Sequence, residues 1–90
     1  MKIVILDGSK IKNVSDLHDT FSESLGFPAY YGRNLDALYD LLSETGEEIT
    51  ILSVGTDALE KTLGKKWSAF LRMMDDLENG NIKFISDSFD

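Results

Sequence analysis

Two aspartates four residues apart, Asp36 and Asp40, share a stretch with three tyrosines, Tyr30-Tyr31-Gly32-Arg33-Asn34-Leu35-Asp36-Ala37-Leu38-Tyr39-Asp40-Leu41-Leu42. Side chains of these types admit three kinds of chemistry. The carboxylates can divide acid–base work, join Glu44 in holding a cation, or present fixed negative charge to a basic partner. Acid–base work wants environments that drive the two pKa values apart, and an exposed helix face offers little of that. Calcium sites draw mostly on loop oxygens. Protein binding therefore ranks first, with no catalytic residue, metal ligand or cofactor assigned.

A helix is needed to put these groups on one side. Asn34 suits the N-cap, because its side-chain oxygen accepts a free backbone N–H of the first turn. Leu35, Leu38 and Leu42 at i, i+3 and i+7 make a core stripe with Leu41 on its flank. Asp36, Tyr39, Asp40 and Ser43 take the opposite arc. The helix dipole favours Asp36 near the N-terminus, whereas Asp40 as a like charge one turn on costs an isolated helix about 0.2–0.5 kcal/mol. A solvated face is the plain alternative, but a local cost without a folding return is also the mark of a surface kept for binding.

The chain has 90 residues, 42% of them hydrophobic and 28% charged, with one proline, which suits one small folded domain over 1–90 and argues against disorder. Sixteen acidic residues against nine basic ones give a formal charge of −7. Phosphate backbones repel such a chain, so nucleic acid is an unfavoured partner and a basic protein a favoured one. Cysteine is absent, which removes disulfides and thiolate sites. The apolar run near the amino terminus is too short for a signal peptide, and no later run is long enough to span a membrane. A cytoplasmic location is the expectation.

Ile3-Val4-Ile5-Leu6, bounded by Asp7-Gly8, reads as a strand covered on both faces. Ser15 is the expected cap of a first helix carrying Leu17, Phe21 and Leu25, with Gly26 as its left-handed stop. Residues 27–33 form a loop, and the acidic helix follows. Ile49-Thr50-Ile51-Leu52-Ser53-Val54 reads as a second strand. Thr56 is the expected cap of a short helix through Leu59 and Leu63, ended by Gly64. Trp67, Phe70, Leu71, Met74 and Leu77 keep the strongest helical period, and Asn79-Gly80 ends it. Ile82-Lys83-Phe84-Ile85 makes a third strand, with a loose tail over 87–90. Strands separated by helices imply crossovers, hence an α/β fold: a small three-stranded parallel sheet with about four helices.

Other candidates rank lower. His18 has no paired ligand and is expected on the surface or partly packed; Ser15 and Ser43 have no evident base beside them in sequence. Trp67 is expected in the core, Met73 at its edge, Asp75 on the helix flank and Asp76 on a solvated face. The turns Asp7-Gly8-Ser9 and Val54-Gly55-Thr56 have one glycine each and do not make a phosphate loop.

The block from Tyr30 to Asp40 resembles the signature of the barstar family of ribonuclease inhibitors: two tyrosines, glycine, any residue, Asn-Leu-Asp-Ala-Leu, an aromatic and Asp. Val14-Ser15-Asp16-Leu17-His18 is similar to the family's first-helix entry, and the last helix and strand agree in pattern and length. The resemblance implies a three-stranded parallel sheet packed with helices, and a protein that blocks the active site of a small basic ribonuclease. Carboxylates would there take the place of RNA phosphates. Carried over, Asp40 is the central anion, able to pair with an arginine through both oxygens. Asp36 contacts the rim, Tyr30 stacks near the catalytic histidine, Tyr39 packs beside the anchors, and Asp75 matches the acidic contact on the last helix. The implied partner-binding set is Tyr30, Asn34, Asp36, Tyr39, Asp40, Ser43 and Asp75. Departures bear on specificity: Tyr39 stands where tryptophan is frequent, Arg33 and Asn79 replace acids, Asp75 is shorter than the usual glutamate, and a tryptophan expected after Ser43 is missing. The implied role is an antidote or immunity protein; the alternative is a regulatory protein-binding module with this fold and another partner.

Overall fold

The computed structural model describes residues 1–78 and 80–87. Its elements run β1 (Lys2–Asp7), α1 (Val14–Leu25), α2 (Leu35–Glu44), β2 (Ile49–Val54), α3 (Thr56–Leu63), α4 (Lys65–Leu77) and β3 (Ile82–Ser86). The strands lie in chain order, β1-β2-β3, and both neighbouring pairs are parallel. Val4 pairs with Ile51, and Ile51 pairs with Phe84. The expected fold class is the observed one.

The strand order has a consequence for burial. Two crossovers of the same hand, each stepping one strand in the same direction, fall on the same face of the sheet. Val4, Leu6, Ile49, Ile51 and Ile82 are accordingly buried, while Ile3, Ile5, Val54 and Ile85 on the alternate positions are exposed. Coverage of β1 on both faces is thus corrected: among the described residues the sheet is packed on one side only. The core on that side joins Leu17 and Phe21 of α1, Leu38 and Leu42 of α2, Leu59 of α3, and Trp67, Phe70 and Met74 of α4. Trp67 stacks on Phe70 with centroids 5.2 Å apart, and Phe70 meets Phe21 at 5.9 Å. Leu71, expected in the α4 stripe, is exposed, and Met73 is buried in its place.

Two helix starts differ from expectation. Asn13, not Ser15, caps α1, its Oδ1 accepting from Asp16 N at 2.8 Å while Asp16 Oδ2 accepts from Lys12 N at 2.9 Å. Asp16 thus donates to the cap and reaches back to the N–H of Lys12, one residue before the N–H that a capping box uses, and Ser15 lies inside the helix. Before α3 stands Gly55 at φ 67° without a side-chain cap. Its work is done from a distance by Asp87, whose carboxylate accepts from Gly55 N at 2.8 Å, Thr56 N at 3.2 Å and Thr56 Oγ1 at 2.6 Å. Asp87 N also donates to Ser53 O at 3.1 Å. The loose tail is therefore corrected at Asp87; residues 88–90, and Asn79 with its helix-ending role, lie outside the described residues. Gly26 ends α1 as expected, in the left-handed conformation at φ 66°.

Candidate functional site

The loop before α2 is built inward first. Tyr31 N donates to Pro28 O at 3.0 Å, closing a turn. The Tyr31 ring packs on Phe27 with centroids 4.8 Å apart and meets His18 edge-on at 5.6 Å. Its hydroxyl lies 2.6 Å from His18 Nδ1. His18 is 1% exposed, so the expected surface or partly packed histidine is fully buried instead. At i+4 from Val14 and i−3 from Phe21 it falls on the core side of α1, which is the signal the sequence carried.

Burial holds the His18 imidazole below its ordinary value, with the Arg33 charge adding to the effect and Asp19 opposing it. The same desolvation pushes the Tyr31 phenol up to about 12, against the pull of Arg33. Both groups are neutral near pH 7. A phenol O–H donating to the basic ring nitrogen suits the short 2.6 Å separation, and it leaves the imidazole proton on Nε2. That Nε2 has no hydrogen-bond partner among the described residues.

With Tyr31 anchored inward, its neighbour Tyr30 stands out, 87% exposed. Arg33 ties the loop to α1: its Nη2 donates to Ser15 O at 3.0 Å and Ser15 Oγ at 2.8 Å and pairs with Asp19 Oδ1 at 2.8 Å. Its backbone is left-handed at φ 55°, which costs a non-glycine residue about 1–2 kcal/mol. Three side-chain contacts to the neighbouring helix offset that strain.

Asn34 then caps α2, Oδ1 accepting from Ala37 N at 2.8 Å. Leu38 and Leu42 are buried, Leu35 and Leu41 half-buried, and Asp36, Tyr39, Asp40 and Ser43 exposed. Ser43 Oγ donates to the Asp40 backbone carbonyl at 3.1 Å. Among the described residues the carboxylates of Asp36 and Asp40 make no ion pair and accept no hydrogen bond. Two side chains expected on this surface thus share the exposed α2 arc with Tyr39 and Ser43, and Tyr30 stands in the loop before it.

The contribution of α4 is different. A groove of about 280 Å³ runs between the helices, lined by Leu35, Asp36 and Tyr39 of α2 and Ala69, Arg72, Met73 and Asp76 of α4. Asp75 is exposed but does not line it. Asp76, expected on a solvated face, borders the groove together with Asp36. The spacing Ala69, Arg72, Met73, Asp76 is i, i+3, i+4, i+7, one helical face, visible in the sequence once α2 is known to pack there.

Among the described residues no group of three or more histidines, cysteines or acids is arranged to hold a metal ion, and no helix is long and apolar enough to cross a membrane. The family described as "Barstar (barnase inhibitor)" matches residues 1–85. A Bacillus subtilis (strain 168) protein named "Putative ribonuclease inhibitor YrdF" is 51% identical over 43 residues, covering 48% of this chain and 47% of that protein. The match thus spans about half the length of that relative. With the parallel sheet, the tyrosine loop and the capped acidic helix all in place, the family match leads to one statement of kinship: the chain belongs to the barstar family.

Proposed function

We propose that this protein is a ribonuclease inhibitor, not an enzyme, and that its target is a small basic ribonuclease of the barnase kind. Support comes from the family match, from the relative's name, and above all from the carboxylates of Asp36 and Asp40, without a partner among the described residues, on a helix whose other face is locked in the core. In this reading Asp40 takes the place of an RNA phosphate against an arginine of the enzyme, a charge-assisted pair that can be bidentate. Asp36 meets cations at the rim. Tyr30 stacks on the enzyme's active-site ring, Tyr39 packs beside the carboxylates, and Asn34, Ser43 and Asp75 complete the contact. RNA is excluded by occupancy. The net charge of −7 speeds encounter with a cationic enzyme, and desolvated Asp40 sets the rate of release.

Calorimetric titration into a barnase-like ribonuclease at low and high salt tests this. The expected result is one-to-one binding that weakens with salt and is lost in Asp40→Ala. A folded protein that fails to bind at either salt concentration would redirect the search toward another partner for the same face.

A further inference from the structure

Two residues of the loop before α2 reach back to α1, and they land on one face of it. Tyr31 meets His18. Arg33 meets its neighbours through Nη2, at 2.8 Å from Ser15 Oγ, 3.0 Å from Ser15 O and 2.8 Å from Asp19 Oδ1. Ser15, His18 and Asp19 stand at i, i+3 and i+4, side by side on the helix surface. Tyr30 comes just before both anchors, and its ring is 87% exposed, so its placement depends on how well the adjoining backbone is held. Between the anchors lies Gly32, which has no side chain to fix it. With Tyr31 alone, the loop would keep a pivot there.

Arginine is a strained choice at position 33. Among the described residues it is the one non-glycine with a positive φ, a conformation that glycine takes without strain. Strain that persists in a folded protein points to a side chain with a task. The ion pair with Asp19 adds little stability by itself, because both side chains are half-exposed. What it does is local. Arg33 borders the same cleft as Asp36, three residues on, and an unheld guanidinium there can turn to that carboxylate and cancel its charge. Asp19 takes it instead, and Asp36 makes no ion pair among the described residues.

We propose that Arg33 is a positioning residue for partner binding: clamped to Ser15 and Asp19, it fixes the loop that presents Tyr30 and keeps its own cation off Asp36. The partner rests on the inhibitor reading; the clamp does not. A ribonuclease then meets a loop that is already ordered, and less conformational freedom is lost as the complex forms.

The test removes the clamp from either side. Arg33→Asn, a residue that tolerates this backbone, makes the chain one charge more acidic, and Ser15→Ala with Asp19→Ala makes it one charge less acidic. Affinity for a barnase-like ribonuclease is measured at high salt, where long-range charge is screened. Expected is about fivefold to tenfold weakening in each variant, with the combined triple variant little weaker than either, since the residues act as one unit. Affinity that follows net charge, tighter in Arg33→Asn and weaker in the alanine pair, overturns the proposal, and so do additive losses. In the free chain, NMR relaxation and hydrogen exchange follow the Tyr30 and Gly32 amides. Both variants should loosen them while the Leu17 and Phe21 amides stay protected; unchanged loop amides overturn the clamp. Failure of the unaltered chain to bind any such ribonuclease is a failure of the inhibitor reading, read separately from these amides, and it overturns the partner role of Arg33 with it.

Discussion

Asp87 and Asp40 are the same residue type in opposite settings. Asp87 follows β3 and accepts three hydrogen bonds at the start of α3. Asp16 and Asp7 do similar work, the first accepting from Lys12 N and the second from Ser9 N and Oγ. Asp36 and Asp40 accept none among the described residues. The difference lies in the local supply of donors. Helix starts and turns expose backbone N–H groups that a carboxylate can reach, whereas at Asp40, mid-helix, those groups are already committed to the preceding turn. A carboxylate there finds no donor among the described residues and stands exposed to solvent.

The contrast is sharpest in binding. Asp40→Ala should weaken the complex with a barnase-like ribonuclease by about 2–5 kcal/mol, the range for truncating one side of a desolvated charge pair, while Asp87→Ala leaves affinity unchanged in titration calorimetry. Equal losses from both would erase the distinction.

Next in size is the buried pair that holds the loop. Tyr31→Phe removes the hydroxyl from His18 Nδ1 and should destabilise by about 1–3 kcal/mol in urea unfolding. His18 also gives stability a pH dependence. Its folded pKa lies below the ordinary 6.5, so the unfolded chain binds the proton more readily. Stability is full well above 6.5 and falls as pH drops through that value toward the folded pKa. His18→Gln should flatten the slope in that window, as read from unfolding midpoints across pH.

A smaller stability loss is expected for Asp87→Asn, seen as a lower melting temperature with α3 amides exchanging faster. Its carboxyl is held below the usual 3.8, chiefly by Thr56 and Gly55, so the stabilisation is present above that value and disappears as pH falls through the folded pKa. Smallest is Asp40→Asn in the free protein: removing one of two like charges at i,i+4, without touching the dipole-favoured Asp36, should raise stability by about 0.2–0.5 kcal/mol in urea unfolding. A loss there larger than the Asp87→Asn loss would mean the acidic arc serves the fold after all.

Much of this was legible in the chain. The Asn34 cap, the leucine stripe of α2 and the alternation of three strands with helices follow from spacing and capping chemistry, which act over a few residues. The Tyr30 to Asp40 block carries its family likeness in one continuous run. Asn13 was readable too, since Asp16 stands three residues on in the reciprocal position; a serine nearby drew the assignment instead.

What sequence alone determined is therefore local: where helices and strands begin, which face of each is apolar, and that Asp40, unlike Asp36 in the first turn, gains little from its own helix. The tertiary structure decided the rest, because those outcomes depend on residues brought together from far along the chain. Asp87 caps a helix that starts 31 residues earlier at Thr56, Arg33 ties its loop to Ser15 across 18 positions, and Tyr31 closes over His18 from 13 away. Periodicity marked β1 as apolar throughout, but only the order of strands in the sheet, with both crossovers on one side, left Ile3 and Ile5 facing out. Packing of α4 against α2 likewise chose Asp76 over Asp75 for the groove beside Asp36, since helical spacing fixes which residues share a face and only tertiary contact fixes which face is met.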